Sequence, residues 1–233
     1  MPEDVLDRPG RAVLQTIGSC SWSADYYLAG GTGLALHLGH RRSYDLDLFS
    51  YEPAEVLRNP DQLTDELTRR FGAERAHVVL KQTDQLHCSI DGTKVSFIAY
   101  PFPLRYPTTL HLGVQLADER DIALMKAYVI GRRATARDYI DLYFLLRKGS
   151  LTIAELVAEA AEKFRLHGES LFSTRLFLSQ LTYTDDVEGK DSATQLVLDE
   201  GLQFDTVETY LKEQVRNYVR HTLGGPSRED ERG

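Results

Sequence analysis

Two aspartates in one alternating segment have the residue type and spacing of a metal site. Asp45 and Asp47 alternate with Leu46 and Leu48 in the run Asp45–Phe49, which has the two-residue period of a β-strand. On a strand both carboxylates project from one face, about 6.6 Å apart along the chain, and the leucines face a core. Mg²⁺ binds one or two carboxylates together with substrate phosphates, so the pair suits that ion. An edge strand that exposes two ordinary acids to solvent would have the same pattern.

The residues just before these acids favour an anion site. Gly30 and Gly31 precede a predicted helix, Gly33–Leu38, with Thr32 as its expected N-cap. Free N–H groups and the helix dipole attract phosphate at such a position. Ser43, two residues before the first acid, can donate its hydroxyl to a phosphate oxygen. Taken alone, the glycine pair could equally be a simple turn.

Basic residues also lie beside the acids, at His40, Arg41 and Arg42. Each of the three could equally belong to a solvated loop. The order glycines, bases, hydroxyl and acids is therefore more informative than any one of these residues.

A second polar set occurs downstream, in two predicted helices. Lys126 falls near the edge of an apolar stripe, where it needs a partner unless its long side chain extends to the surface. Asp138 and Asp141 lie three residues apart, and therefore on adjacent helix surface. We favour Asp141 over Asp138 as a site residue, because Asp138 could serve only the helix dipole. Arg137, four residues before Asp141, could instead hold it in a simple ion pair.

Composition restricts the class of protein. The 233 residues include 27 basic and 35 acidic side chains, for a net charge of −8, and are 42% hydrophobic. These values are typical of globular proteins, and the acidic balance disfavours a protein that coats nucleic acid through bulk charge. No membrane-spanning run or secretory signal is recognisable, and two isolated cysteines do not suggest a disulfide scaffold. We expect a cytoplasmic protein that does not contact the membrane.

The order of predicted elements indicates an α+β fold. Strands and short helices are predicted over the first half: helix 9–20, strands 26–29 and 45–49, helix 53–71, strand 78–80, and a hairpin of strands 86–90 and 94–100 turning at Asp91-Gly92. Helices are predicted at 118–133, 136–148, 152–167, 169–182 and 205–222. We therefore expect an α/β domain with a small mixed sheet at 1–115, a helical domain at 116–223 that completes the active site, and a mobile tail at 224–233.

The run GGTGLALHLGHRRSYDLDLF, residues 30–49, resembles the opening motif of the AbiEii/AbiGii-type nucleotidyltransferase toxins, a branch of the DNA polymerase β-like superfamily. The run DERDIALMKAYVIGRRATARDYIDLYFLL, residues 118–146, resembles the second signature of that family, and KVSFIAYPFP lies between them in the expected order. The resemblance covers most of residues 26–148. The helical remainder, 149–233, is similar to the family only in being helical.

The resemblance implies transfer of a nucleotidyl group from an NTP, by in-line attack on the α-phosphate. Asp45 and Asp47 would hold the catalytic Mg²⁺ (or Mn²⁺), Lys126 would pair with the triphosphate, and Asp141 would complete the site. The nucleotide would contact residues of both signatures: Gly30, Gly31, Thr32, Arg42, Ser43, Arg133 and Arg137. The implied biology is the toxin-like half of a toxin–antitoxin or phage-defence pair. The acceptor would be a tRNA 3′ end, which we favour, or a protein hydroxyl or a small molecule.

One position departs from the superfamily pattern. Polymerase β-like enzymes often carry a third carboxylate on a neighbouring strand, where it serves as general base, and the corresponding residue here is Ser96. A serine cannot accept a proton as a carboxylate does. Two other functions therefore stay open: a nucleotide- or protein-binding module with impaired catalysis, and a small-molecule nucleotidyltransferase of the antibiotic-modifying type.

Overall fold

Within residues 5–133 and 135–223, which the computed structural model describes, seven strands form one mixed sheet. The strands are β1 (Tyr26–Leu28), β2 (Leu46–Ser50), β3 (Ala76–Lys81), β4 (Gln85–Ile90), β5 (Thr93–Ile98), β6 (Thr109–His111) and β7 (Val114–Leu116). They lie in the order β3-β4-β5-β2-β1-β7-β6. β2 is antiparallel to β1 and parallel to β5, while β1 is parallel to β7. The acid-bearing strand β2 is therefore central in the sheet.

Helices cover both faces of this sheet. They are α1 (Arg8–Gly18), α2 (Gly30–Leu38), α3 (Pro60–Phe71), α4 (Glu119–Ile130), α5 (Ala136–Lys148), α6 (Ile153–Lys163), α7 (Thr174–Thr182), α8 (Lys190–Thr194) and α9 (Phe204–Leu223). A short hairpin of β8 (Arg165–Leu166) and β9 (Glu169–Ser170) joins α6 to α7. The α+β class with a mixed sheet is thus confirmed. No described helix is both long and apolar enough to cross a membrane.

The alternation predicted for the acid-bearing strand is present. Leu46 and Leu48 are completely buried, in a core that contains residues of α1 and α3. A second core cluster contains Tyr27 and Ala29 together with residues of the helices from α4 to α9. The strand starts at Leu46, so Asp45 immediately precedes it.

The start of α2 differs from the sequence prediction. The helix begins at Gly30 with Ala29 as its extended N-cap, and Thr32 lies inside the first turn. The Thr32 hydroxyl donates to the Asp45 carbonyl oxygen, and its oxygen lies 2.8 Å from Ser43 Oγ. The prediction of Thr32 as N-cap was wrong, because its side chain bonds to the strand-side loop rather than to its own helix.

Several other predicted helices were too long. The segment 152–167 is helical only to Lys163, and Arg165–Leu166 within it form β8. The segment 53–71 becomes helical only from Pro60, since proline suits the first helical position and disfavours helix for the residue before it. The segment 169–182 becomes helical only from Thr174, after the β8–β9 hairpin. His167 and Gly168 form its turn at positive φ, which a helix cannot accommodate.

The hairpin predicted around Asp91 and Gly92 is confirmed. Both residues have positive φ, 50° and 80°, and strands β4 and β5 pair in register on either side. The predicted domain division at 115/116 falls inside β7, whose residues belong to the sheet, and it stays a prediction. The tail predicted at 224–233 lies outside the described residues.

Candidate active site

A cavity of about 620 Å³ lies beside the acid-bearing strand, between the central sheet, the start of α2, and α4 and α5. Of the eleven residues that the sequence analysis assigns catalytic, metal-binding or nucleotide-binding roles, eight line it: Gly30, Gly31, Ser43, Asp45, Asp47, Lys126, Arg133 and Arg137. The fold therefore brings both sequence signatures to one cavity. Thr32, Arg42 and Asp141 do not line it.

The two acids are the part of the cavity suited to a cation. Burial raises the pKa of Asp47, and the nearby charge of Asp45 raises it further. Arg137 Nη1 lies 3.6 Å from Asp45 Oδ2. A divalent cation between the carboxylates would relieve their repulsion. No cluster of three or more His, Cys, Asp or Glu side chains in the described ranges could hold a metal. A pair of carboxylates fits Mg²⁺, which takes its other ligands from phosphates and water.

The start of α2 is packed against this acid pair without room for a side chain. Gly30 has φ of 61°, and a Cβ there would lie 2.5 Å from Asp47 Oδ2. A Cβ at Gly31 would overlap the Arg41 guanidinium. First-turn N–H groups have no partner within their helix, and in α2 two of them belong to Gly30 and Gly31, which line the cavity. Together with the Ser43 hydroxyl they can bind a phosphate.

Asp141, on α5, lies beneath the cavity and is completely buried among three basic side chains. Arg41 donates from Nε and Nη2 to its two oxygens, at 2.6 and 3.0 Å. His40 Nε2 donates at 2.8 Å and Lys126 Nζ lies 2.7 Å away. Burial alone would raise the pKa of Asp141, but Arg41 and Lys126 outweigh burial and hold it well below its ordinary value. Asp141 thus positions two cations that face the cavity.

Lys126 belongs to this buried network and also lines the cavity. Its ammonium lies 2.7 Å from oxygens of both Asp138 and Asp141. Burial opposes its charge, but the two carboxylates outweigh burial and raise its pKa. An ammonium has three N–H donors, so two ion pairs leave a third for a ligand in the cavity. The partner expected for a lysine in this apolar helix is therefore present.

Of the remaining basic residues, some line the cavity and others do not. Arg133 Nε lies 3.5 Å from Asp138 Oδ2, at the cavity wall. Of the adjacent pair Arg41 and Arg42, Arg41 is buried and lines the cavity. Arg42 is exposed, and its backbone N–H donates to Leu196 O.

Most of the chain matches a known family. A sequence profile described as "Nucleotidyl transferase AbiEii toxin, Type IV TA system" matches residues 12–221. The chain belongs to this AbiEii family. It is a nucleotidyltransferase of the polymerase β-like fold, as the two signatures implied.

Other relatives match the AbiEii chain over nearly its whole length. An uncharacterized protein of Aquifex aeolicus (strain VF5) is 29% identical over 223 residues, covering 93% of this chain and 98% of the relative. JHP933 from Helicobacter pylori has a TM-score of 0.52 at 15% identity, over 92% and 93% of the two chains. MenT4, a nucleotidyltransferase toxin from Mycobacterium tuberculosis H37Rv, has a TM-score of 0.53 at 13% identity, over 95% and 85%. At these identities the two structures show the shared fold.

Ser96 occupies the position expected for the missing carboxylate of the AbiEii chain. It pairs in register with Asp47 across the parallel strands β2 and β5, and it lines the cavity. Asp91, the nearest alternative acid in sequence, lies in the β4–β5 turn and pairs with Arg75. No acid replaces the third carboxylate at this register position.

Sequence reasoning missed several cavity residues of the sheet. His87 and Gln85 reach the cavity from β4, and Lys94 reaches it from β5. A signal was present, since residues 85 and 87, like 94 and 96, are two apart and share a strand face. Which face is turned to the cavity depends on strand order, which local pattern does not specify.

Proposed function

We propose that this AbiEii-family nucleotidyltransferase is a Mg²⁺-dependent toxin that moves a nucleotidyl group from an NTP to the 3′ end of a tRNA. The observation that supports it best is the convergence of Asp45 and Asp47 with Ser43, Lys126 and the start of α2 on one cavity. The type IV toxin–antitoxin assignment of the family suggests a cognate antitoxin protein as partner. We further propose that the enzyme acts in the cytoplasm, where NTP and tRNA occur together.

The proposed roles follow from the chemistry of each group. Asp45 and Asp47 would hold Mg²⁺ (or Mn²⁺), which would stabilise charge on the reacting phosphate oxygens. Ser43 and the N–H groups of Gly30 and Gly31 would bind and orient the phosphates. Lys126 would neutralise charge as the pyrophosphate leaves.

The basic wall of the cavity supports an RNA acceptor. Lys94, Arg132, Arg133 and Arg137 line it, although the chain as a whole has a charge of −8. Charges farther away than a Debye length of about 8–10 Å are largely screened, so an acidic protein can still bind a polyanion at a local basic surface. The same wall would also suit the phosphates of the NTP, and only the identity of the labelled product separates these roles.

The test uses α-³²P-labelled NTPs, each incubated with purified protein, Mg²⁺ and total tRNA. We expect label on tRNA with the wild-type protein and none with Asp45→Asn/Asp47→Asn. Asp61→Asn/Asp65→Asn is the matched control, because it removes the same charge from exposed positions on α3. It should transfer like the wild type.

Other outcomes identify the alternatives. Label on the protein itself or on an added small hydroxylated acceptor would replace tRNA with that acceptor class. NTP binding without transfer to any acceptor would contradict the proposal and favour a binding module, for which Ser96 is the structural reason. Transfer that survives in Asp45→Asn/Asp47→Asn would contradict the proposed metal site.

A further inference from the structure

A row of three polar side chains crosses the sheet beside the proposed reaction centre. Asp47 on β2 pairs in register with Ser96 on β5, and Ser96 pairs in register with His87 on β4. Register partners project from the same face of a sheet, and all three residues line the cavity. The imidazole is thus the next group along the sheet after the position where a carboxylate is missing.

Ser96 and His87 are joined by a hydrogen bond with a defined direction. Ser96 Oγ lies 2.8 Å from His87 Nδ1, and His87 Nε2 lies 2.7 Å from Gln85 Oε1. An amide oxygen only accepts, so Nε2 carries the proton and the neutral ring accepts at Nδ1. The Ser96 hydroxyl must then donate to Nδ1. Gln85 therefore holds His87 in the tautomer that can take a proton from serine.

The surroundings of His87 keep the ring neutral. Burial lowers its pKa and Lys94 on β5 lowers it further, against the opposing effects of Asp47 and Asp84. On the other side, β3 places the apolar Leu80 opposite His87. Ser96 itself is only 1% exposed, so bulk water has little access to its hydroxyl. A neutral imidazole behind a shielded hydroxyl can act as a proton acceptor near pH 7.

We propose that the Ser96–His87 pair replaces the missing carboxylate and accepts the proton of the attacking hydroxyl, an inference that rests on the proposed nucleotidyl transfer. The acceptor oxygen bonds to the α-phosphorus as the bond from that phosphorus to the bridging oxygen breaks and pyrophosphate leaves. The acceptor proton passes to Ser96 Oγ while the Ser96 proton passes to His87 Nδ1. Ser96 ends the step as a hydroxyl, and the imidazolium later releases its proton to solvent, which regenerates neutral His87.

The test measures single-turnover transfer and NTP affinity separately. In His87→Gln the rate at saturating NTP should fall about 10²–10⁴-fold, the usual contribution of a general base, with NTP affinity unchanged. The rate at saturating NTP should fall by a similar factor in Ser96→Ala. The rescue variant is Ser96→Asp/His87→Gln, which supplies a carboxylate at the register position and should recover most of the rate. His77→Gln is the matched control, because His77 is exposed on the adjacent strand β3.

A second readout does not depend on activity. The ¹⁵N chemical shifts of the His87 ring in the full-length protein should identify the Nε2–H tautomer, and Ser96→Ala should shift Nδ1 away from its hydrogen-bonded value. A predominant Nδ1–H tautomer would overturn the proposal, since that nitrogen could not accept from Ser96.

The kinetic outcomes separate this inference from the proposed function. Wild-type transfer with an equally fast His87→Gln would overturn the proton relay and leave nucleotidyl transfer intact. The relay would also be overturned if transfer were slow in His87→Gln and Ser96→Ala but the rate did not recover in Ser96→Asp/His87→Gln. A substitution that weakened NTP affinity without slowing transfer would overturn it as well. Absence of transfer in the wild type would refute the proposed function and this inference with it.

Discussion

At the scale of single residues, the candidate site depends on how closely backbone approaches charged side chains. A Cβ at Gly30 would collide with the Asp47 carboxylate and one at Gly31 with the Arg41 guanidinium, so neither position can carry a side chain without displacing a site residue. The N-terminus of α2 is therefore packed directly against the acid pair. The glycines were recognisable in the sequence, but the residues that they touch were not.

Gly30→Ala tests this close approach. A Cβ at φ of 61° costs about 1–2 kcal/mol in backbone strain and also collides with Asp47. We expect transfer to fall roughly 10²-fold, because a displacement near 1 Å at a reacting centre has that effect.

Gly149→Ala is the control for backbone strain alone. Gly149 has φ of 77°, and a Cβ there would meet no atom within 4 Å. Urea unfolding should show a loss of stability in both variants, larger in Gly30→Ala because of the collision with Asp47, with transfer normal in Gly149→Ala. Equal activities of the two variants would contradict a positional role for Gly30.

At the scale of elements, α2, α4 and α5 are tied together by the buried carboxylate of α5. Asp141 binds Arg41, from the loop after α2, and Lys126 from α4. A buried charge network of this kind is costly to leave half-formed. The sequence predicted that Lys126 and Asp141 belong to one site, and the structure gives Asp141 the role of holding the cations rather than lining the cavity.

Asp141→Asn should destabilise the fold by about 3–5 kcal/mol, because Arg41 and Lys126 would lose a compensating charge in the interior. Asp91→Asn is the matched control, since Asp91 also accepts two hydrogen bonds from one arginine, Arg75, but at the surface. That substitution should change the free energy of unfolding little. Similar losses in the two variants would contradict the role of burial.

The buried carboxylate of Asp141 also predicts how the stability of the protein depends on pH. The pKa of Asp141 is lowered on folding, so its stabilisation is complete above the unfolded value near 3.8 and is lost as pH falls through the lower folded value. Denaturant unfolding should show a stability gap between wild type and Asp141→Asn that is constant near neutral pH and shrinks below about pH 4. A gap that widens on acidification would contradict the lowered pKa.

At the scale of the whole molecule, the sheet and the second-half helices share one core. Tyr27, Ala29 and Leu34 belong to the same buried cluster as residues of the helices from α4 to α9. Strand β7 also continues the sheet across the predicted division at 115/116. The two predicted domains therefore differ in secondary structure but share packing.

Unfolding should then occur in a single transition. Trp22 is the sole tryptophan and contacts Tyr26 and Phe97, so its fluorescence reports the first half, whereas far-UV circular dichroism is dominated by the helices. We expect the two probes to give the same urea midpoint. Separate midpoints would show that the predicted domains unfold independently.

The sequence by itself determined the local features of this protein. The alternation of acids with leucines, the turn at Asp91-Gly92 and the two family signatures are contained in short runs of residues, and each was readable there. Helix boundaries were predicted less well where a local signal competes with the helical pattern. Pro60 sets the start of α3, and the turn at His167 and Gly168 separates α6 from α7.

Only the tertiary structure decided which distant side chains meet. Whether Arg41 or Arg42 enters the interior, and whether Asp141 binds it from 100 residues later in the chain, depends on how α5 packs against α2 and α4. The Ser96–His87 bond likewise requires β4 to pair with β5 on the side away from β2. Such contacts follow from strand order and core packing, which depend on the whole chain rather than on the periodicity of any one segment.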